Sequence, residues 1–521
     1  MTDAAPAPPR RCALQVFGAV QGVGFRPYVA RLARRLALGG RVTNTGEGVT
    51  IEIEGAAAAV AEFVARLPSE APPGVGVTEL QLSELAAQLE TEFVIAASTP
   101  RAAAELGQPG AAPHPGGPSA LQPDAAVCVY CLADVLQSGG RRFGYPFTTC
   151  ASCGPRYTLT EGLPFDRERT TMRDFPPCAA CAAEYKDPAD RRFHAQTLCC
   201  PACGPTLTLR RPGGEVQAGA AAALEQAAAA LGGGAIVAVK GVGGYHLMCL
   251  ATDQQVVLRL RARKQRPDKP LAVMVEDLEQ ARRLAAVTPE EAALLLTAAA
   301  PIVLLGAPHP LRVAPAVAGR VGTLGVLLAY TPLHQLLLRA VGAPLLATSG
   351  NRSDEPLCTE PTEARRRLAG IADLFLDHDR RIVRPLDDSV TRVMGGRPVV
   401  LRRGRGYTPG SLPLPPGLLA AGPQIGVAVG GQGKCALAVL AHGRVHLGEH
   451  LGNLDEELTL AHWRRQQDEL PAFLGLKGRP RYLACDAHPD YVSTRLADGQ
   501  AAPIFHHRAH ALAAVCDTRA E

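Results

Sequence analysis

Hydrophobic runs along this chain are punctuated by proline- and glycine-rich stretches that divide it into four units. The first opens with a predicted strand over Cys12–Phe17, a glycine-rich turn and a helix of which Arg31–Leu36 forms part, and it closes near Ala97. The run Gly107–Pro123 reads as a linker. A cysteine array follows, to about Thr208. A helical stretch after Val216 opens the third unit, and the continuous apolar run Ala235–Val239, ending in Lys240, predicts a buried strand. That unit ends near Arg405. Tyr407–Gly417 marks a second linker, and the alternation from Ile425 to Val429 predicts the first strand of a fourth unit.

A chain of 521 residues has room for three or four domains with cores of their own. Hydrophobic content of 47% with 20% charged residues is that of a soluble globular protein and excludes a disordered or membrane-embedded class. The alanine-rich stretches Ala220–Leu231 and Ala292–Leu305 are too short or too interrupted to span a bilayer. Nothing at the N-terminus has signal-peptide character, so a cytoplasmic protein is expected. The net charge of +5 is mild, but its distribution is uneven. Arg259, Arg261, Arg263, Lys264, Arg266 and Lys269 crowd one segment and Arg380–Arg405 forms another, which suits nucleotide phosphates, nucleic acid or plain solvent.

Eight of the fifteen cysteines form four C-x2-C pairs: Cys128 with Cys131, Cys150 with Cys153, Cys178 with Cys181, and Cys200 with Cys203. Each half of the array has the same eighteen-residue gap between its pairs. A tetrahedral zinc ion takes four thiolates, and C-x2-C turns present two sulfurs to one metal, so two structural zinc sites are expected in place of disulfides. His194 and Cys199 lie beside the last pair, yet eight thiolates already complete two sites. The intervals carry Phe143, Tyr145, Pro146, Phe147 and Pro155, which suit packing better than base readout, so the module is expected to be a scaffold. Cys12, Cys249, Cys358, Cys435, Cys485 and Cys516 stand singly and read as buried thiols.

The turn of the first unit reads Gly18-Ala19-Val20-Gln21-Gly22-Val23-Gly24-Phe25-Arg26. Glycines between strand and helix let backbone N–H groups converge on an anion, and Arg26 offers a planar fork to phosphate oxygens. The full string resembles the acylphosphatase signature, and Gly40-Arg41-Val42-Thr43-Asn44 with Gly48 resembles the second motif of that family. The resemblance implies that Arg26 holds a phosphoryl group and Asn44 a water. On spacing alone Asn44 reads equally as a turn residue before Gly46 and Gly48.

The strand ending at Lys240 runs into Gly241-Val242-Gly243-Gly244-Tyr245-His246, and a basic stretch Arg261–Met274 follows. Glycine turn and clustered cations are what a triphosphate requires, although composition alone fits a solvated basic helix as well. The region is similar to YrdC-like domains, on Tyr330-Thr331-Pro332-Leu333-His334, Thr348-Ser349-Gly350-Asn351 and Arg384-Pro385-Leu386-Asp387-Asp388-Ser389-Val390. That similarity implies ATP, with Mg, as a substrate and conversion of a carbamate-type acid to its adenylate, with Lys240, Lys264, Arg266, Lys269, Ser349 and Asn351 lining the site.

The order of these units resembles the carbamoyltransferase HypF family of nickel–iron hydrogenase maturation, and the resemblance spans the chain. It implies a multidomain α/β and α+β protein: an acylphosphatase-like α+β sandwich (1–97), a linker (98–121), a duplicated zinc-ribbon-like module (122–208), a YrdC-like α/β domain (209–405), a linker (406–420) and a partial actin-like (ASKHA) α/β lobe (421–521). By resemblance, carbamoyl phosphate is hydrolysed at the first site, carbamate is adenylated with ATP at the second, and the carbamoyl group passes to the C-terminal cysteine of a HypE-type partner.

In the fourth unit, Val429–Lys434 and Leu447–Asp455 are similar to the family's last, threonylcarbamoyl-transferase-like domain, and His506-His507-Arg508-Ala509-His510 to its metal motif, with His506 and His510 as ligands of a further metal. An unmetallated surface helix is the alternative. The family continues past the position of Glu521, so a fragment, a split gene and a degenerate copy are all open, and weak transfer to the partner is expected. A rival reading makes the basic surface a groove for RNA, in an RNA-binding or tRNA threonylcarbamoyl-modifying factor, but it leaves the acylphosphatase motif without a purpose.

Overall fold

The strand expected at Cys12–Phe17 extends to Arg10–Ala19 in the computed structural model. The structure describes residues 9–99, 121–414 and 425–518, apart from 47, 73, 309, 320, 354, 442, 477, 479–481 and 498. Most of the linker expected over 98–121, residues 415–420 of the second linker and the Cys516 side chain lie outside the described residues.

Along Arg10–Ala19, alternate residues Cys12, Leu14 and Val16 have no exposure, and each such burial is worth about 1.5–3 kcal/mol for a Val or Leu. The strand lies in a five-stranded sheet of spatial order Gly76–Leu85, Arg10–Ala19, Val49–Gly55, Gly39–Asn44, Phe93–Ile95. Helices Phe25–Arg35 and Ala57–Ser69 cover the apolar face, placing Val29, Leu32, Val60 and Phe63 against Leu14, Ile51 and Ile53. This is a two-layer α+β sandwich.

In the cysteine module each ligand of the second copy follows its counterpart by fifty residues, as 178 follows 128 and 200 follows 150. Each copy has a short helix, Val129–Leu136 or Ala179–Lys186, that starts one residue after its first cysteine. Tyr145 and Phe147 are buried, as expected of packing residues, but Phe143 is exposed because its side chain stands outside that core.

The third unit is built on an eleven-stranded mixed sheet. Its strand Val237–Lys240 is buried on both faces: Val237 and Val239 enter one core, Ala238 the other. A strand covered on both faces needs a continuous apolar run, which is why this one lacks alternation. The strand Leu207–Arg210 already belongs to this sheet, pairing with Leu374–His378 across the expected boundary at 208/209.

The fourth unit is a six-stranded sheet covered by helix Glu457–Phe473, whose Trp463 is buried and donates from Nε1 to the Val429 carbonyl at 2.8 Å. Within the second expected linker, Ser411–Pro413 is a strand, paired with Arg444–Leu447. It is an edge strand, where proline is tolerated despite its missing N–H.

Candidate functional sites

Gly24 caps the helix Phe25–Arg35 with φ of 72°, a left-handed conformation that suits glycine, and makes no side-chain cap hydrogen bond. Arg26, in that turn, is buried and donates from Nη2 to Asp166 Oδ1 at 3.0 Å and from Nη1 to Ser98 Oγ at 3.1 Å. The Asn44 side-chain oxygen accepts from Arg26 Nη2 and Nε, both at 3.2 Å, in the amide orientation that satisfies both groups. The two residues expected to act together are therefore in contact.

They line a cavity whose second wall is the cysteine module. Gln21, Gly22, Gly24, Arg26 and Asn44 face Ala151, Arg156, Phe165, His194 and Gln196. Gln21 clamps the two units. Its Nε2 donates to the Thr45 and Gly48 carbonyls at 2.8 and 3.1 Å, and its Oε1 accepts from the Phe165 N–H at 2.9 Å.

Cys128, Cys131, Cys150 and Cys153 gather in one group, and Cys178, Cys181, Cys200 and Cys203 in another, with all sulfurs of a group within 4.8 Å of one another. Closest sulfur pairs stand 3.6–3.8 Å apart. Four thiolates at about 2.3 Å from a central zinc are separated by about 3.8 Å, far from the ~2.05 Å of a disulfide. The two tetrads fit two structural zinc ions. Neither His194 nor Cys199 belongs to a tetrad; Cys199 is buried, its thiol facing the Phe147 carbonyl at 3.3 Å.

Guanidinium groups cross between the copies. Arg191 reaches Cys131 Sγ at 2.8 Å and, with Arg192, pairs with Asp134; Arg141 reaches Cys181 Sγ at 3.3 Å and, with Arg142, pairs with Glu184. Each copy thus neutralises thiolate charge at the other's tetrad.

In the third unit Lys264, Ser349 and Asn351 come together at the end of helix Gln254–Lys264. The Lys264 ammonium donates to the Ser349 carbonyl and, at 2.9 Å each, to the carbonyl and Oδ1 of Asn351, while Ser349 Oγ donates to Asn351 Oδ1 at 2.7 Å. Burial draws the Lys264 pKa down to about 7; Arg266 and Lys269 add to the shift and Asp387 opposes it. Arg266 and Lys269 lie on the loop that follows. Arg261, buried, holds that loop through the carbonyls of Arg266, Pro267 and Lys269 at 2.8–3.0 Å. Lys240 pairs with Tyr245, whose carbonyl accepts from the Gly350 N–H at 2.6 Å; its ammonium donates at 3.0 Å to the His378 and Arg380 carbonyls, and burial lowers its pKa to about 8 against the pull of Glu360 and Asp377.

A buried network beside this site was not anticipated as a unit. His246 Nε2 meets Asp388 Oδ2 at 3.0 Å, Asp388 Oδ1 accepts from Arg405 Nε at 2.7 Å, and Arg405 stacks 3.4 Å over the Tyr330 ring. Burial works against the Asp388 charge, but Arg405 and His246 outweigh it and hold the carboxyl well below the usual range. The motif residues His246, Tyr330 and Asp388 were visible in the sequence; Arg405, 17 residues from Asp388, carried no signal beyond its charge.

In the last unit His506 and His510 bring their Nε2 atoms to 3.1 Å, and Asp486 Oδ2 lies 2.7 Å from Nδ1 of His506. Among the described residues, the two cysteine tetrads are the groups of three or more potential ligands close enough for one ion.

Family models match in the same order as these structures: Acylphosphatase over residues 12–95, HypF finger over 127–160 and 178–210, Telomere recombination (the Sua5, YciO and YrdC type) over 229–404, and HypF Kae1-like domain over 422–517. Carbamoyltransferase HypF of Rhodobacter capsulatus is 46% identical over 95% of this chain and 64% of its own length. The chain belongs to the HypF family. HypF of Synechocystis sp. is 43% identical over 97% of the chain and 64% of the relative.

A crystal structure of full-length HypF in a phosphate- and nucleotide-bound form superposes with a TM-score of 0.91 at 35% identity, covering 100% of this chain and 66% of that one. For the HypF of T. kodakarensis the TM-score is 0.87 at 32% identity, with 98% and 64% covered. The chain therefore spans 64% of the length of the curated HypF relatives it matches. Its acylphosphatase, finger, YrdC-like and Kae1-like units are those of HypF. Among the described residues no helix is long and apolar enough to cross a membrane.

Proposed function

We propose that this chain hydrolyses carbamoyl phosphate, adenylates the carbamate released, and works as a carbamoyltransferase toward a HypE-type partner in the cytoplasm. The observation that carries this reading is the contact between Arg26 and Asn44 at a helix N-terminus without a side-chain cap, in a cavity walled by the cysteine module. The phosphoryl group binds the Arg26 fork and the Gly22–Gly24 amides, and Asn44 Nδ2 holds a water. Water oxygen attacks phosphorus, the phosphorus–oxygen bond to the carbamoyl group breaks, and inorganic phosphate and carbamate result.

At the second site Lys264, Arg266 and Lys269 balance the charge of Mg-bound ATP, with Ser349 and Asn351 positioning it. A carbamate oxygen attacks the α-phosphorus and pyrophosphate leaves. Because carbamate is unstable in water, the intermediate passes between the sites through an enclosed route. A thiolate at the partner's C-terminus then attacks the carbamoyl carbon and AMP departs. His506 and His510, whose Nε2 atoms stand 3.1 Å apart, would hold a further metal in the last unit, with Asp486 orienting His506 through Nδ1 at 2.7 Å.

Two assays test this. Phosphate release from carbamoyl phosphate is expected to fall at least ~100-fold in Arg26→Ala. Exchange of labelled pyrophosphate into ATP is expected to require carbamoyl phosphate and to be lost in Lys264→Ala. Exchange that depends on threonine and bicarbonate instead would overturn the reading in favour of tRNA modification.

A further inference from the structure

The two copies of the cysteine module differ at His194, Ala195 and Gln196, which line the phosphatase cavity, and the histidine is the one of these that can titrate. Where the first copy has Arg141-Arg142-Phe143-Gly144, the second has Arg191-Arg192-Phe193-His194. The backbone is the same in both: the Gly144 N–H donates to the Val135 carbonyl at 2.9 Å, and the His194 N–H to the matching Tyr185 carbonyl at 3.0 Å. Both residues are left-handed, with φ of 67° for Gly144 and 52° for His194. Glycine takes that conformation freely, whereas a histidine there carries strain, which persists where the side chain has a task.

His194 lines the cavity opposite Arg26 and Asn44. Tyr185 and Phe193 hold its ring, with centroids 4.8 and 4.6 Å away. Burial lowers its pKa to about 4, Arg26 adds to the shift and Asp166 opposes it, so the ring is neutral near pH 7. A neutral imidazole has one N–H donor and one acceptor nitrogen. Carbamoyl phosphate, held by its phosphoryl group on Arg26, presents an amino group and a carbonyl oxygen at its other end, whereas acetyl phosphate presents a methyl group in place of the amine.

We propose that His194 is a specificity-determining residue of the phosphatase site, accepting a hydrogen bond from the carbamoyl amino group and so selecting carbamoyl over acetyl phosphate. The inference rests on the hydrolytic function proposed above and assigns part of its substrate choice to the zinc-bearing module. A site built to pair with an N–H discriminates against analogues that lack it, because its own polar atom is then left unpartnered.

The test substitutes His194→Gly, which restores the residue of the sister copy at the same φ and relieves backbone strain, and His194→Asn, which tolerates that φ and retains an acceptor. With zinc content verified, kcat and KM are measured for carbamoyl phosphate and acetyl phosphate. His194→Gly is expected to lower kcat/KM for carbamoyl phosphate ~10–100-fold while acetyl phosphate changes less than about 3-fold, and His194→Asn to recover part of the preference. Equal losses on both substrates, or no loss on either, would overturn the role of His194 and leave the hydrolytic function standing. A wild-type chain with no hydrolysis of carbamoyl phosphate would overturn that function as well.

Discussion

Lys264 is a cation made uncomfortable by its surroundings. Only 3% of it is exposed, and the burial that lowers its pKa to about 7 is reinforced by Arg266 and Lys269. An unfolded lysine titrates near 10.4, so between about pH 7 and 10 the unfolded chain binds more protons at this position, and the group's contribution to stability rises with pH across that window. A polyphosphate has the opposite effect, because its negative charge favours the ammonium form. Nucleotide binding is therefore expected to take up close to one proton at pH 8 and to weaken as pH rises. Calorimetry in buffers of different ionisation enthalpy reads the uptake directly, and Lys264→Met is expected to abolish it. Uptake unchanged in that variant would remove Lys264 from the phosphate site.

At the scale of elements, the paired cysteine knuckles were legible because metal ligation fixes both residue type and spacing. The crossing of the arginines was not, because it depends on how two copies fifty residues apart dock face to face. The same limit applies to the basic stretches. Sequence counts arginines as surface charge, yet Arg261 buttresses a loop from beneath, Arg380 stacks 5.5 Å from the Phe147 ring, and Arg405 is sealed against Asp388; none is available to a nucleic acid backbone. The first unit was read most fully, since its strand alternates and its glycine turn is a contiguous string. Lys264, Ser349 and Asn351 were read as one site and do touch, whereas Lys240, at the end of a buried strand, turns to other carbonyls.

The crossed guanidinium groups carry a prediction at this scale. A tetrathiolate zinc site has a net charge of about −2, and outer partners typically set metal affinity by 10–100-fold. Arg191→Ala is expected to speed zinc loss about tenfold from the tetrad of Cys128, in the other copy, and Arg141→Ala to do the same to the tetrad of Cys178. Release to a chromophoric chelator should then be biphasic in either variant. A single unchanged phase in both would show that the contacts do not support the metal.

At the scale of the whole molecule, three units meet on one side chain. Arg384 of the third unit is buried, with its guanidinium 4.8 Å from the Tyr157 ring of the cysteine module and 4.6 Å from the Phe473 ring of the last unit; those rings themselves meet edge to face at 5.3 Å. It also donates to the carbonyls of Tyr157 and Thr160. Truncation to alanine would take its donor from the buried Thr160 carbonyl, at about 1–3 kcal/mol, and remove cation–π attraction of up to about 2 kcal/mol on each ring, while the Tyr157 carbonyl keeps the Thr160 N–H at 3.3 Å. That total is several kcal/mol, comparable with what holds one unit on another and smaller than the core of any of the larger units. Arg384→Ala is therefore expected to split a shared thermal transition in two, the last unit melting first, while phosphate release at Arg26, which is held by Asn44, Ser98 and Asp166, changes less than about twofold. Arg384→Lys, which retains the charge without the planar fork, should fall between the two. One undivided transition at the wild-type temperature in Arg384→Ala would mean that the units are held together elsewhere.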